Sequence, residues 1–221
     1  MEPPRSEEAA DRRSTDRRIR AGDGADVPLV SRSARVAAPP FGPLLSTATG
    51  PRTLWTAPAE ATVVGDGAAA TVTAEGPNRF ERVRKSAARL FAGADVDVDA
   101  DAARPRLFGG FAFHDDATER HPWVGFPAAR FVLPRVQVVG DPDGDRAWLT
   151  VNAVGPEATP AAVEGRLADE RERLESLEDP GPVAGPPGIS VRRRTTAPDD
   201  WRRGVEAAVE RIRAGDLRKV V

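Results

Sequence analysis

Lys219 is the residue whose type and setting could do chemistry: it follows a helix stop at Gly215 and sits beside Val220 and Val221 in an apolar stretch. An ammonium on an apolar strand loses solvation, which favours the neutral amine and suits a general base near neutral pH. The same lysine also fits a gatekeeper on an edge strand, its stem along apolar surface and its head in water. Spacing alone leaves both readings open. Other constellations carry less. Gly65-Asp-Gly-Ala-Ala-Ala70 fits the G-x-G-x-x-A dinucleotide pattern, but the strand-like Thr71-Val-Thr73 follows where a helix N-terminus would have to hold the pyrophosphate. It reads as a turn or bulge within a sheet. The alternating Asp95, Asp97, Asp99 and Asp101, and likewise Asp141, Asp143 and Asp145, lack the glycine and glutamate that complete a calcium loop, and read as solvated acidic loops. His114, Asp115, Asp116 and His121 satisfy no common metal spacing and read as a surface loop.

Composition narrows the chemistry further. The 221 residues contain no Cys, which excludes disulfides, thiolate nucleophiles and cysteine-based metal sites, and only two His. Lys plus Arg number 32 against 34 Asp plus Glu, a net charge of −2, so nothing global favours a nucleic-acid or anionic-lipid partner and any anion recognition must be local. Lys85 and Lys219 are the only lysines; every other basic side chain is Arg. No stretch is long and apolar enough to span a membrane, and Met1–Arg20 has no apolar region of the secretory kind, so the expectation is a cytoplasmic protein.

The elements that must position these residues follow from periodicity. Residues 1–26 are charged and poor in large apolar side chains, and read as a disordered tail. Residues 27–177 read as an α+β sheet region. Pro28–Val36 alternates, with Val30, Ala34 and Val36 on one face and Ser31, Ser33 and Arg35 on the other, and Thr53–Thr56 and Ala61–Thr73 continue the strand character. Pro77–Ala92 shifts to helical spacing and stops at Gly93; Arg106–His114 reads as a buried strand whose two glycines demand a close backbone approach. Ala128–Val139 and Arg146–Val154 form a hairpin, with Pro134 suiting an edge strand, and a helix capped by Thr159 runs to Leu177.

Residues 178–189, with four prolines and three glycines between Glu178 and Gly188, read as a linker. Beyond it, Ser190–Arg194 reads as a strand, Thr196 as the cap of a third helix with Trp201, Val205, Ala208, Val209 and Ile212 on one side, and Leu217–Val221 as a fresh strand. Breaking off inside an apolar strand leads to the expectation that the chain is truncated.

Three stretches together resemble the isochorismate synthase branch of the chorismate-utilising enzymes, whose relatives include salicylate synthase and the large components of anthranilate and aminodeoxychorismate synthases. They are Leu107-Phe-Gly-Gly-Phe-Ala-Phe113, Trp123–Pro134 with its Phe-Pro-x-x-Arg-Phe-x-Leu-Pro core, and Trp201–Val221 ending Ile-Arg-Ala-Gly-Asp-Leu-Arg-Lys-Val-Val. The resemblance runs from about Pro28 to the last residue and implies an α+β fold of large, mostly antiparallel sheets stacked centrally with helices outside. Residues 190–221 would then begin the chorismate-binding catalytic region. It implies an isomerase that converts chorismate to isochorismate for menaquinone or catechol siderophore synthesis, with Lys219 as the base that activates water, where aminating relatives carry Gln. It also implies Mg2+ on ligands that lie, with the general acid, in the later part of the family. The expectation is a fragment inactive alone, monomeric when complete, and without nucleic-acid or membrane partners. Salicylate synthase and a non-catalytic remnant stay as alternatives.

Overall fold

The computed structural model describes residues 17–20, 27–114, 121, 123–142, 146–178, 188 and 195–220. Cα proximity divides the chain into two units, Met1–Pro180 and Gly181–Val221, which are described in turn.

The first unit is built on one eight-stranded sheet among the described residues: β1 (Arg17–Arg20), β2 (Leu29–Val36), β3 (Arg52–Trp55), β4 (Thr62–Ala74), β5 (Asp95–Asp97), β6 (Phe108–Phe111), β7 (Ala129–Gly140) and β8 (Ala147–Val154). Its spatial order is β1-β4-β7-β8-β2-β5, with β3 also on β4 and β6 also on β7. All pairings are antiparallel except β1 with β4 and β2 with β5, so the architecture is α+β around a largely antiparallel sheet.

The long β4 and β7 form the spine, and their pairing contains one irregularity. Register shifts between Ala68 and Ala70, next to Gly67 at φ +68°, so the glycine-rich run is a bulge inside a strand. Opposite it stands Pro134. β7 is therefore no edge strand, contrary to the sequence expectation. The proline is tolerated because it lies between the end of pairing to β6 at Val132 and the start of pairing to β8 at Val136, where the β4 ladder is also broken. Its carbonyl accepts a hydrogen bond of 2.8 Å from Asn152 Nδ2, and Asn152 Oδ1 accepts one of 2.7 Å from Ser31 Oγ.

Side chains alternate along β7 and send its apolar residues to two layers. Val136 and Val138 join Val64 and Leu149 under α1 (Phe41–Thr47) and α3 (Pro160–Glu175), whose Leu44 and Leu174 complete the cluster. Leu133 joins Leu29, Ala70 and Leu90, and Ala129 joins Val72 and Val83, under α2 (Arg79–Phe91). On β7 and β8, the buried Gln137 and Thr150 donate to the carbonyls of Arg104 and Ala103, tying down the 3-10 turn Asp101–Ala103. Ser31 belongs to this polar layer, which corrects the expectation of a solvent-facing serine row: the start of β2 is covered on both faces.

Other differences from the sequence reading share one cause, long-range backbone pairing that local composition does not reveal. Arg17–Arg20 lies within the expected disordered tail yet pairs with Ala70–Thr73, an edge of β4 that β3 leaves open. Asp95–Asp97 is a strand on β2, and Arg32 holds the Asp95 carboxylate in a bidentate pair at 2.8 and 3.0 Å. The helix starts and stops follow the sequence: Thr159 Oγ1 accepts from Ala162 N, and Gly93 takes φ +73° after α2. Residues 143–145 of the expected hairpin turn at 141–145, residues 179–187 and 189 of the expected linker at 178–189 and the expected strand at 190–194 lie outside the described residues.

Two outcomes follow. Asn152→Ala strips one buried partner from Pro134 and another from Ser31, so urea unfolding should show a loss of about 2–4 kcal/mol. The hydrogen bond from Arg32 lowers the Asp95 pKa, so the pair stabilises above the ordinary carboxylate range near about pH 4 and fades as pH falls through the lower folded value. Asp95→Asn should flatten that acid limb in a plot of urea midpoint against pH.

Candidate active site

Lys219 lies in the second unit, past α4 (Pro198–Arg213). This helix begins with Ala197 at the cap and Pro198 at its first position, so Thr196 does not cap it: the fixed φ of proline and the acidic Asp199 and Asp200 start the helix without a side-chain cap. Asp199 pairs with Arg202 at 3.0 Å, and Asp200 pairs with Arg203. Trp201, Val205, Val209 and Ile212 make the expected stripe, and it is exposed; Trp201 is 69% accessible.

Gly215, at φ +85°, closes the helix, its N–H bonding Ile212 O at 3.1 Å while the N–H groups of Asp216 and Leu217 reach Arg211 O at 3.0 and 3.3 Å. That turn sets the direction in which Lys219 leaves. Residues 217–220 form no strand, however, which corrects the sequence expectation, because an extended segment becomes a strand only against a neighbour and none of the described residues pairs with it. Lys219 is exposed here, so the desolvating apolar strand that motivated the base reading is not formed around it.

The two aromatic-glycine motifs meet at the other unit's sheet. Phe108–Phe111 pairs with Ala129–Val132, and Ala112 N reaches Ala128 O at 2.7 Å. β6 is an edge strand rather than the buried one expected, because β7 alone flanks it. The glycines nonetheless have the predicted reason: a Cβ at Gly109 would stand 1.9 Å from Arg130 O, whereas one at Gly110 would meet nothing within 4 Å. Phe111 bridges Phe80 and Phe131 at centroid distances of 4.4 and 4.9 Å, and the Arg79 guanidinium covers Phe80 at 4.6 Å. Glu75 accepts from Ala128 N at 3.0 Å and Arg79 donates to Ala112 O at 3.1 Å, fastening the end of the β6–β7 pair to the start of α2.

Beside this ladder, β3, β6 and β7 enclose a cleft of about 800 Å3 that includes Arg52, Arg106 and Arg130 with Trp55 and Phe131. Sequence reading singled out Arg130 only as part of a motif and missed Arg52, on β3, and Arg106, in the segment that leads into β6. Among the described residues no group of three or more His, Asp or Glu could hold a metal ion. The resemblance implies magnesium ligands in the later part of the family, outside these residues. His114 stacks edge-on against Phe113 at 4.8 Å, and residues 115–120, including Asp115 and Asp116, lie outside the described residues.

A largely antiparallel sheet bearing these motifs, followed by a helix and a Gly-Asp turn that leads to a lysine, defines a recognisable class of protein. Residues 27–221 match the family model for chorismate binding enzymes, and the chain belongs to that family. Among curated relatives it is 28% identical over 188 residues to isochorismate synthase MenF of Bacillus subtilis (strain 168), covering 78% of this chain and 38% of that protein. Among solved structures it is similar to MenF, the menaquinone-specific isochorismate synthase of Escherichia coli, at 14% identity and a TM-score of 0.40, covering 81% of this chain and 37% of that one. The chain thus spans less than two-fifths of the length of these relatives. No helix among the described residues is long and apolar enough to cross a membrane.

The glycine geometry makes a paired test. Gly109→Ala should cost about 1–3 kcal/mol or more by forcing β6 off β7, while Gly110→Ala should stay within about 0.5 kcal/mol. Urea unfolding of the two variants compares them directly.

Proposed function

We propose that the polypeptide carrying this chain is an isochorismate synthase and that the Lys219 amine is its base. In this reading water gives a proton to Nζ as its oxygen bonds C2 of chorismate; the ring double bond shifts, and the C4 hydroxyl leaves as water with a proton from an acid. The steps balance as an isomerisation, with no oxidant or reductant. The observation that carries the reading is the family match, which runs through Lys219 to residue 221. Support comes from the residue type, since an aminating enzyme needs no water deprotonated at this point, and from the similarity to an isochorismate synthase in Bacillus subtilis. The pathway served would be menaquinone or catechol siderophore synthesis.

A lysine acts as a base in its neutral form, and loss of solvation favours that form. The exposed Lys219 must then be enclosed by further protein before it can act, so the chain alone should turn over no chorismate. When bound, magnesium would offset the negative charge of the substrate carboxylates.

The test is a chimera in which residues 27–221 replace the matched segment of the Bacillus subtilis relative. With chorismate and magnesium it should make isochorismate, read by chromatography, and Lys219→Ala should lower kcat by about 10²–10⁴ with unchanged circular dichroism. Undiminished turnover in that variant removes Lys219 from the mechanism. Salicylate and pyruvate as products would mean a salicylate synthase, and a folded but inactive chimera would favour a non-catalytic binding role.

A further inference from the structure

We propose that the cleft between β3, β6 and β7 binds a small planar or cyclic carboxylate. Its volume of about 800 Å3 falls in the range of small-molecule sites, roughly 300–1,000 Å3. Three arginines line it, Arg52, Arg106 and Arg130, and among the described residues no Asp or Glu does, in a chain where acidic residues outnumber basic ones 34 to 32.

None of the three is ion-paired among the described residues: Arg52 donates to Ala48 O at 3.3 Å, Arg106 donates to Asp101 O at 3.4 Å, and their remaining N–H groups stay available. Uncompensated guanidiniums gathered at one concave site attract an anion, and their planar forks suit carboxylate geometry. Trp55, 54% accessible, and the half-buried Phe131 add aromatic faces, and Leu54 adds an aliphatic one, which a bare inorganic anion would leave unused. A ring bearing a carboxylate uses both sets of groups. Two of the arginines sit on paired backbone, Arg52 opposite Asp66 in β4 and Arg130 opposite Gly110 in β6, and Arg106 lies in the segment that leads into β6.

The proposal stands apart from the role of Lys219, since the described residues that line the cleft belong to the first unit. It is tested by calorimetric titration of the whole chain with benzoate, chorismate and inorganic phosphate. Benzoate or chorismate should bind in the millimolar range or tighter, with phosphate weaker by about tenfold. Arg52→Gln combined with Arg106→Gln should weaken carboxylate binding by about tenfold or more. Trp55→Ala should weaken carboxylate binding with little effect on phosphate, and Arg82→Gln, on the exposed side of α2, should change nothing.

Thermal midpoints of the variants establish that they fold. No heat with either carboxylate up to about 10 mM, phosphate binding as tight as benzoate, or an Arg52/Arg106 double variant that is folded yet binds normally would each overturn the proposal. Because binding and not turnover is read, failure here leaves the chimera experiment untouched, and failure there leaves this one untouched.

Discussion

The β4–β7 ladder is the interaction on which the rest of the first unit depends, and its one irregularity gives the unit its shape. A proline in a central strand removes a ladder donor, which would ordinarily cost a buried hydrogen bond. Here the cost is offset at a point where three things coincide: the β4 bulge at Ala68 and Ala70, the handover of the β7 edge from β6 to β8, and the Asn152 side chain reaching the Pro134 carbonyl. The bulge inserts an extra residue into β4, so Ala70 and Val72 turn to the α2 layer while Val64 keeps to the α1 and α3 layer. One backbone defect thus lets a single sheet carry two apolar faces at its two ends.

That division also explains where a site can form. The middle of the sheet is closed by α1 and α3 on one side and by the polar layer of Gln137, Thr150 and Asn152 on the other. Its margins are not: β6 is a short strand with one neighbour, held tight to β7 because Gly109 has no side chain, and β3 pairs only with β4. Concavity at such margins comes from backbone held at fixed separation, which suits recognition of a rigid ligand better than a mobile loop does.

Periodicity made much of this legible before any coordinates. The β7–β8 hairpin, α2 and α3 follow from alternating or helical spacing and from the stops and caps at Gly93 and Thr159, all of which act within a few residues. What local pattern could not show is pairing decided at a distance. β1 and β5 sit in charged sequence and are strands because β4 and β2 offer open edges, and α1 forms although Pro39, Pro40 and Pro43 crowd its start, since Leu44 has a core to enter. The same limit applied at Lys219, where a β-rich composition suggested a strand but supplied no neighbour for one. The cleft was least legible of all, its arginines coming from β3, from β7 and from the segment before β6, distant parts of the chain.

A near-neutral net charge conceals how unevenly the charges are spent. On the helices, carboxylates are consumed by arginines one turn away: Glu81 with Arg84, Glu170 with Arg173, Glu175 with Arg171 and Asp199 with Arg202. Helical spacing makes such pairs almost automatic. Strands offer no such spacing, since their alternate residues face opposite ways and a partner must come from another strand, as Asp95 does for Arg32. Arg52, Arg106 and Arg130 have no such partner among the described residues, and all three line one cleft. In a chain with almost balanced acids and bases, three arginines without an ion pair among the described residues beside one cleft make a local excess of positive charge.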